Sequence, residues 1–314
     1  MGQIYFRISG NALNYSLPKL SPGKTMLVIA GSASPDLAQS VSERLNCGLV
    51  KPELTKFPDG ELHLKIPVDL EGEHVVIVQS TPYPQNDNFM ELLLLLDTVE
   101  DLGAKEVAAI VPYFAYARQD KRFEPGEAVT MQTMLKLIES TEPDRLLTVD
   151  VHEEKSIKGT KIPAKNLHAM PLVGKWLFSL NLKNPLLLGP DRGAQDYAEQ
   201  AAGSLGADYD YLFKKRKSPT EVSMEPKSLD VEGRDVVILD DIISTGGTVI
   251  EALELLKKHN ARKIYAGCTH AVLAGNALDR ILEAGAEGVF ATDTIETEIS
   301  KMSVAPIIAD TIAE

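Results

Sequence analysis

An apolar tetrapeptide that ends in two adjacent aspartates is the feature that most constrains this chain. Residues 236–239 are typical of a strand buried on both faces, and Asp240 and Asp241 stand where that strand would end. A turn rich in Ser, Thr and Gly follows at 244–248, and an amphipathic helix begins after it. Backbone N–H groups in such a turn favour a bound phosphate, and paired carboxylates can accept hydrogen bonds from two neighbouring sugar hydroxyls. The segment therefore predicts a ribose-phosphate site at the end of a buried strand.

A solvated strand-to-helix turn is the alternative interpretation of the same residues. In that case Thr248 would cap the helix, and Asp240 and Asp241 would face water. For a Thr-Gly-Gly-Thr turn alone, this interpretation would be preferred. We favour the ribose-phosphate site because the two carboxylates stand next to each other at the strand end.

The composition narrows the class of protein. A chain of 314 residues with 44% hydrophobic content suits two α/β domains. The net charge of −13 disfavours a sequence-independent nucleic-acid binder, which needs a basic surface. The two cysteines, Cys47 and Cys268, are far apart in the sequence, and no apolar run approaches the roughly 18 residues that cross a bilayer. We therefore expect a cytoplasmic protein that binds neither nucleic acid nor membrane.

Strand and helix patterns alternate along most of the chain, which predicts α/β architecture with parallel sheets flanked by helices. Residues 73–80 and 234–241 are similar, and each segment is followed by a loop, an apolar helix and a strand. This internal duplication predicts two related domains. The expected limits are an extension outside the fold at 1–25, an N-terminal domain at 26–163, a C-terminal domain at 164–305, and a terminal helix at 306–314 that packs on the N-terminal domain.

Six further segments and the 240–248 loop carry a resemblance to one protein family. The chain resembles the ribose-phosphate pyrophosphokinases (PRPP synthetases) through FPDGE at 57–61, YARQDKRFEPGE at 116–127, DVH at 150–152, GPDRGA at 189–194, KKRKSPTEV at 214–222 and KMSVAPIIADTI at 301–312. The loop is similar to the PRPP-binding loop that this family shares with phosphoribosyltransferases.

The resemblance implies two tandem phosphoribosyltransferase-like domains, each a mainly parallel sheet flanked by helices. It also implies an enzyme of nucleotide biosynthesis that transfers the diphosphoryl group of ATP to the 1-hydroxyl of ribose 5-phosphate. The products would be 5-phosphoribosyl diphosphate (PRPP) and AMP, and the cofactor would be Mg²⁺.

The resemblance also implies roles for individual residues. The residues implied to bind ATP are Phe57, Asp59, Gly60, Glu61, Arg118 and Gln119. The first four would reach the ATP site of a neighbouring subunit, so a homo-oligomer is expected. Magnesium binding falls to His152 and Asp191. Ribose 5-phosphate binding falls to Arg216, Asp240, Asp241, Ser244, Thr245, Gly246, Gly247 and Thr248. Ordinary polar turns would also explain the ATP segments, and a lone histidine is more often packed or capping than a metal ligand.

Residues 214–217 form the densest basic cluster of this acidic chain. A charge run is usually a solvated loop, but phosphoryl transfer needs cations that neutralise the moving group. We expect a mobile loop that closes over the triphosphate. By resemblance, Lys214 is the catalytic cation that stabilises the transition state, and Arg216 is catalytic and contacts the substrate. The chain departs from the family pattern in two places: at Ser244, where an acidic residue is common, and at Glu153-Glu154-Lys155, where apolar and amide residues are usual in the bacterial enzymes.

Two other functions are compatible with this fold. A phosphoribosyltransferase that consumes PRPP would need neither the 57–61 nor the 116–120 segment, and it usually has one copy of the domain. A catalytically inactive regulator that senses PRPP would not need Lys214, Arg216 or Asp191. The sequence therefore favours the diphosphoryl transferase over both.

Overall fold

The computed structural model describes residues 26–216, 222–226 and 231–314, with side chains for all of these except 213–216 and 222–226. Within these ranges the chain forms two α/β domains, each built on a mainly parallel sheet with helices packed against it. The fold class predicted from the alternating pattern is therefore confirmed. The extension expected at 1–25 lies outside the described residues. No helix in the described ranges has the length and apolar content needed to cross a membrane.

The first domain contains a six-stranded parallel sheet with the strand order β2-β1-β5-β6-β7-β8, and a separate antiparallel hairpin formed by β3 and β4. Its elements are β1 (Met26–Ala30), α1 (Pro35–Arg44), β2 (Gly48–Val50), β3 (Glu53–Lys56), β4 (Leu62–Lys65), β5 (His74–Val78), α2 (Gln85–Asp101), β6 (Glu106–Val111), α3 (Thr130–Glu139), β7 (Arg145–Val149) and β8 (Ala164–Leu167). Alternate residues of β1 enter different apolar clusters, Leu27 and Ile29 on one face of the sheet and Val28 and Ala30 on the other. Both faces are covered, which explains why the strands are continuously apolar.

The second domain contains a seven-stranded sheet with the strand order β11-β10-β9-β12-β13-β14-β15. Its elements are α4 (Met170–Leu177), β9 (Leu186–Gly189), α5 (Gln195–Leu205), β10 (Asp208–Arg216), β11 (Val222–Pro226), β12 (Asp235–Ile243), α6 (Gly247–Lys258), β13 (Lys263–Ala271), α7 (Ala277–Glu283), β14 (Gly288–Thr292) and β15 (Ser300–Met302). Neighbouring strands pair in parallel except β10 and β11, which are antiparallel. The chain ends in α8 (Ala305–Ala313).

The two sheets have the same arrangement at their centres, as the internal duplication predicts. β5 lies beside β6 and β12 lies beside β13, and each parallel pair is connected by a helix, α2 or α6. β1 flanks β5 as β9 flanks β12. The residues that follow β5, Gln79 and Ser80, thus correspond to Asp240 and Asp241 on β12.

The first domain includes segments that lie beyond its predicted limits. β8 pairs with β7 at the edge of the first sheet. Helix α8 packs against α1, and its Ile308 and Ile312 lie in the same apolar cluster as Val28. We therefore propose that the first domain comprises residues 26–167 together with α8, and that the second domain comprises the chain between them.

Two local features differ from the sequence prediction. β12 continues through Asp240 and Asp241 to Ile243, because β13 supplies backbone partners as far as Ala271, so the aspartates stand within a paired strand. Lys214 and Arg216, expected on a mobile loop, have their backbone in β10, which pairs with β11. The pairing with β11 supplies regular backbone hydrogen bonds to this charged segment. A run of charged side chains does not reveal such backbone pairing, so the sequence predicted a loop.

Candidate active site

The carboxyl ends of the two sheets contribute to one cavity of about 440 Å³. Parallel strands end at the same edge of a sheet, and ligands of α/β proteins bind at that edge. Predicted site residues of both domains line the cavity: Arg118 and His152 from the first, and Asp191, Asp240, Asp241, Ser244, Thr245, Gly246, Gly247 and Thr248 from the second. The structure thus brings together the two residues expected to bind magnesium, one residue expected to bind ATP, and all the residues expected to bind ribose 5-phosphate except Arg216, whose side chain lies outside the described part of the structure.

A left-handed glycine shapes the 244–248 turn at the start of α6. Gly246 has φ 78°, and a Cβ at this position would lie 2.9 Å from Cδ1 of Ile281, so a larger residue would be both strained and crowded. The N–H of Ala274 donates to the carbonyl of Ser244 over 3.1 Å and holds the turn in place. Helix α6 begins at Gly247, so its N-terminus lies in the cavity wall. A turn followed by a helix N-terminus suits a phosphate.

A contact between the domains determines how charge is shared by the aspartate pair. Nδ1 of His152 lies 2.6 Å from Oδ2 of the buried Asp241. The hydrogen bond to Asp241 raises the pKa of His152 above its usual value. Burial opposes the charge of Asp241, but the hydrogen bond and the charge of His152 hold the pKa of Asp241 below its usual value. Burial, together with the neighbouring Asp241 charge, raises the pKa of Asp240. Asp241 therefore carries the negative charge of the pair more readily than Asp240.

Asp150 positions the segment that carries His152. Its buried carboxylate accepts a hydrogen bond from Oγ1 of Thr269 over 2.6 Å and from the N–H of Ala169 over 3.1 Å. Its backbone is left-handed, with φ 37°, which is uncommon for a residue other than glycine. Asp150 thus directs the chain from β7 toward the cavity. The sequence gives no signal for this role, because Thr269 is 119 residues away.

A second cavity, of about 480 Å³, adjoins the first at Arg118, Ile242 and Ser244, which line both. Its walls also include Gln119 and Tyr113. Aromatic rings can pack on a nucleobase, and a guanidinium can pair with phosphate oxygens. The second cavity therefore suits a nucleotide whose phosphates extend toward the first.

Comparison with known proteins assigns this arrangement to a family. The N-terminal domain of ribose phosphate pyrophosphokinase matches residues 26–141, and the phosphoribosyl transferase domain matches residues 160–286. The ribose-phosphate pyrophosphokinase of Methanothermobacter thermautotrophicus is 43% identical over 288 residues, which are 92% of this chain and 100% of that protein. The chain belongs to the ribose-phosphate pyrophosphokinase family.

Further ribose-phosphate pyrophosphokinases agree with this assignment. The protein from Methanopyrus kandleri is 43% identical over 288 residues, which are 91% of this chain and 98% of that protein. The crystal structure of phosphoribosylpyrophosphate synthetase from Mycobacterium smegmatis matches with a TM-score of 0.82 and 29% identity, and the match covers 92% of this chain and 98% of that one. The family predicted from the sequence motifs is confirmed.

One motif of the ribose-phosphate pyrophosphokinases, at 57–61, lies away from both cavities. Phe57, Asp59, Gly60 and Glu61 form the exposed turn between β3 and β4, and the N–H of Phe57 donates to the carbonyl of Glu61 over 2.8 Å. The Phe57 side chain is 49% exposed. None of the four residues lines either cavity of its own chain. Their role in ATP binding stays a prediction and requires a second chain.

The expected magnesium ligands lie on different domains and line the same cavity. Oδ1 of Asp191 accepts a hydrogen bond from the N–H of Gly193 over 2.8 Å, which orients the carboxylate. Within the described part of the chain, no group of three or more His, Cys, Asp or Glu side chains could hold a metal ion by itself. One imidazole and one carboxylate fit Mg²⁺ only as a partial set that phosphate oxygens and water would complete. The assignment of His152 and Asp191 as ligands stays a prediction.

The two expected catalytic cations lie at the end of β10. This strand runs parallel to β9 with Tyr211 opposite Gly189. The backbone of Lys214 and Arg216 therefore continues past the carboxyl end of β9, toward the edge of the sheet where Asp191 stands. Their side chains are outside the described part of the structure, and so are residues 217–221, the rest of the expected loop apart from Val222.

Proposed function

We propose that this chain transfers the diphosphoryl group of ATP to the 1-hydroxyl of ribose 5-phosphate, giving PRPP and AMP. The observation that carries the proposal is a single cavity that combines the Asp240–Asp241 pair and the 244–248 turn with Arg118, and that adjoins a second cavity at Arg118. A donor nucleotide and an acceptor sugar phosphate can lie end to end in this space. Relatives that match over nearly their whole length carry the name ribose-phosphate pyrophosphokinase.

The second domain binds the sugar phosphate. Its 5-phosphate accepts hydrogen bonds from backbone N–H groups of the 244–248 turn and the start of α6. Asp240 and Asp241 accept hydrogen bonds from two neighbouring sugar hydroxyls. Both aspartates belong to β12, and Asp240 and Ile242 are paired with β13, so the sheet restrains the backbone that carries them. The sugar is therefore held in one orientation, and its 1-hydroxyl is directed at the donor.

The first domain binds the nucleotide through Arg118, which lines both cavities, and Gln119, which lines the second. Arg118 is the only lysine or arginine among the described residues that line the main cavity, which also contains four carboxylates. A triphosphate would be repelled by such a surface without further positive charge. We assign that charge to Lys214 and Arg216, which lie on β10 between β11 and β9 in the sheet of the second domain, and to Mg²⁺ near His152 and Asp191.

The reaction needs no nucleophile from the protein. The oxygen of the 1-hydroxyl forms a bond to the β-phosphorus of ATP, and the bond from that phosphorus to the oxygen shared with the α-phosphate breaks. AMP leaves with that oxygen, and the proton of the hydroxyl passes to solvent. The protein contributes by placing the two substrates in line and by stabilising the charge that spreads over the transferred group. When bound, Mg²⁺ would neutralise part of that charge.

A homo-oligomer in the cytoplasm is the form in which we expect the protein to act. The 57–61 turn is exposed, and none of its residues lines either of the two cavities described above. In a neighbouring chain it would supply an aromatic ring and two carboxylates to the nucleotide site. Dilution below the dissociation constant of the oligomer should therefore raise the KM for ATP more than the KM for ribose 5-phosphate.

Release of AMP tests the proposed reaction. The protein incubated with ATP, ribose 5-phosphate and Mg²⁺ should form AMP and PRPP in equal amounts. Omitting the sugar phosphate or chelating the metal should stop AMP formation. A phosphoribosyltransferase would leave ATP unchanged, and an inactive regulator would bind ligands without forming AMP. No AMP at saturating substrates and Mg²⁺ would refute the proposed activity.

A further inference from the structure

Tyr197 lines the main cavity, although no motif in the sequence identifies it. It stands in the first turn of α5, just after the segment that carries Asp191. Its ring packs against the apolar cluster that contains Val237 and Leu239, the residues of β12 that lead to Asp240. Packing on one side and the cavity on the other hold the ring in a fixed position.

The hydroxyl of Tyr197 is a hydrogen-bond donor in a cavity that is rich in acceptors. Burial raises the pKa of Tyr197 far above its usual range, and the charges of Asp241, Asp150 and Asp240 raise it further. The phenol therefore keeps its proton at neutral pH and can donate a hydrogen bond. Tyr197 lines the same cavity as Asp240 and Asp241 and packs on the strand residues that lead to Asp240, so it belongs to the part of the cavity where the sugar hydroxyls are expected.

Recognition of a sugar hydroxyl needs donors as well as acceptors. An ionised carboxylate can only accept a hydrogen bond, so it binds the hydroxyl through the hydrogen. The oxygen of that hydroxyl still has two lone pairs, and burying them without a donor costs free energy. A protonated phenol in the same cavity as the aspartate pair can supply that donor.

We propose that Tyr197 donates a hydrogen bond to one of the two neighbouring ribose hydroxyls and thereby contributes to selecting ribose 5-phosphate over deoxy sugar phosphates. The proposal rests on the proposed function, because it names a further substrate-binding residue of the same site. It concerns binding of the sugar and not the transfer step.

Calorimetric titration tests this without requiring turnover. The full-length protein is titrated in Mg²⁺ and a non-hydrolysable ATP analogue with ribose 5-phosphate, 2-deoxyribose 5-phosphate and 3-deoxyribose 5-phosphate. Tyr197→Phe removes one oxygen atom and keeps the ring, and it should weaken binding of ribose 5-phosphate about tenfold. For the deoxy sugar that lacks the contacted hydroxyl, the loss should fall below about twofold, because the partner of the phenol is already absent.

Tyr209→Phe is the matched control. Tyr209 is in the same domain, and its hydroxyl donates to Glu199 at the surface over 2.8 Å, outside the cavity. This variant should bind all three sugar phosphates as the wild type does, and thermal unfolding of both variants checks that they are folded.

Three results would overturn the proposal. An equal loss for all three sugar phosphates would show that the phenol does not contact a hydroxyl. Unchanged binding of all three would reduce Tyr197 to a packing residue. A lower kcat with unchanged binding would place the hydroxyl against the transferred group. A wild type that binds the sugar phosphate but forms no AMP would refute the proposed reaction and leave this inference standing.

Discussion

Nδ1 of His152, which follows a strand of the first domain, lies 2.6 Å from Oδ2 of Asp241 in the second domain. An expected magnesium ligand and an expected sugar ligand are thus in direct contact, and each changes the pKa of the other. A change of His152 should therefore affect the expected sugar site as well as the expected metal site.

The His152–Asp241 contact should make stability depend on pH. The raised pKa of His152 stabilises the fold fully below the ordinary histidine value of about 6.5, and this contribution is lost as the pH rises through the raised pKa. The lowered pKa of Asp241 contributes above the ordinary aspartate value of about 3.9 and is lost as the pH falls through the lowered pKa. The contact is therefore strongest between about pH 4 and 6.5.

Urea unfolding of His152→Asn in metal-free buffer measures this contribution. The difference in free energy of unfolding from the wild type should be largest near pH 5.5 and should shrink toward pH 8.5. Because the imidazole is 42% exposed, screening should keep the charge contribution below about 1 kcal/mol. The exposed His63, changed to Asn, is the control. A difference that grows with pH would contradict the assigned pKa directions.

Removing both aspartates should abolish measurable binding of ribose 5-phosphate. Each charge-assisted hydrogen bond to a sugar hydroxyl contributes on the order of 1.5–3 kcal/mol. Calorimetric titration of Asp240→Ala/Asp241→Ala checks this, with the exposed Asp310→Ala as the control. The wild type should bind one equivalent per chain.

The first domain should not compensate for that loss. Its corresponding residues, Gln79 and Ser80, are fully buried and already bonded within the protein. Oε1 of Gln79 accepts from the N–H of Ala33 over 3.0 Å, and Oγ of Ser80 donates to the carbonyl of Thr294 over 2.6 Å. Near wild-type uptake by the double variant would place the sugar site elsewhere, the first domain included.

Lys214→Ala should lower kcat by about 10²–10³-fold and change the KM values much less, because a transition-state cation acts mainly on the transferred group. Steady-state kinetics with ATP and ribose 5-phosphate measure both constants. Lys215→Ala removes the same charge from the neighbouring position and is the matched control. An effect confined to KM, or an equal fall in kcat for both variants, would mean that the cluster contributes only general positive charge.

Glu296→Ala should destabilise the protein. The Glu296 carboxylate belongs to the second domain and reaches the first turn of α1 in the first domain. There it accepts hydrogen bonds from the N–H of Asp36 over 3.0 Å and from the N–H of Leu37 over 2.8 Å. Losing such a cap costs about 0.5–2 kcal/mol. Glu296→Gln should cost less, because its carbonyl oxygen still accepts, and burial already raises the pKa of Glu296.

Thermal and urea unfolding compare these variants with Glu298→Ala, an exposed position two residues away. Equal stability of the Ala variant and the wild type would show that water replaces the carboxylate at the helix end without cost.

Strand ends explain why much of the cavity could be predicted from the sequence. Asp191, Asp240 and the 244–248 turn follow or extend apolar strands, and parallel strands converge at one edge of a sheet. The motif at 116–120 follows β6 in the same way. Each of these positions could be predicted from the local sequence pattern, and the fold places them at the same cavity.

Contacts between polar side chains of different domains could not be predicted. His152 and Asp241 are 89 residues apart, and Leu37 and Glu296 are 259 residues apart. Such pairs produce no repeating pattern in the sequence, because they depend on how the two folded domains pack against each other. The short strands β2 and β15 are likewise held by their neighbours in the sheet and have no distinct pattern of their own.

Helix α8 returns the chain to the domain in which β1 began. In terms of connectivity, the second domain is inserted into the first and is tethered at both of its ends. A double tether restricts hinge rotation far more than a single linker does, because both connections must deform together. The relative position of the two domains is therefore restrained by the path of the backbone as well as by side-chain contacts, and we expect substrates to enter through local opening of the cavity instead of separation of the domains.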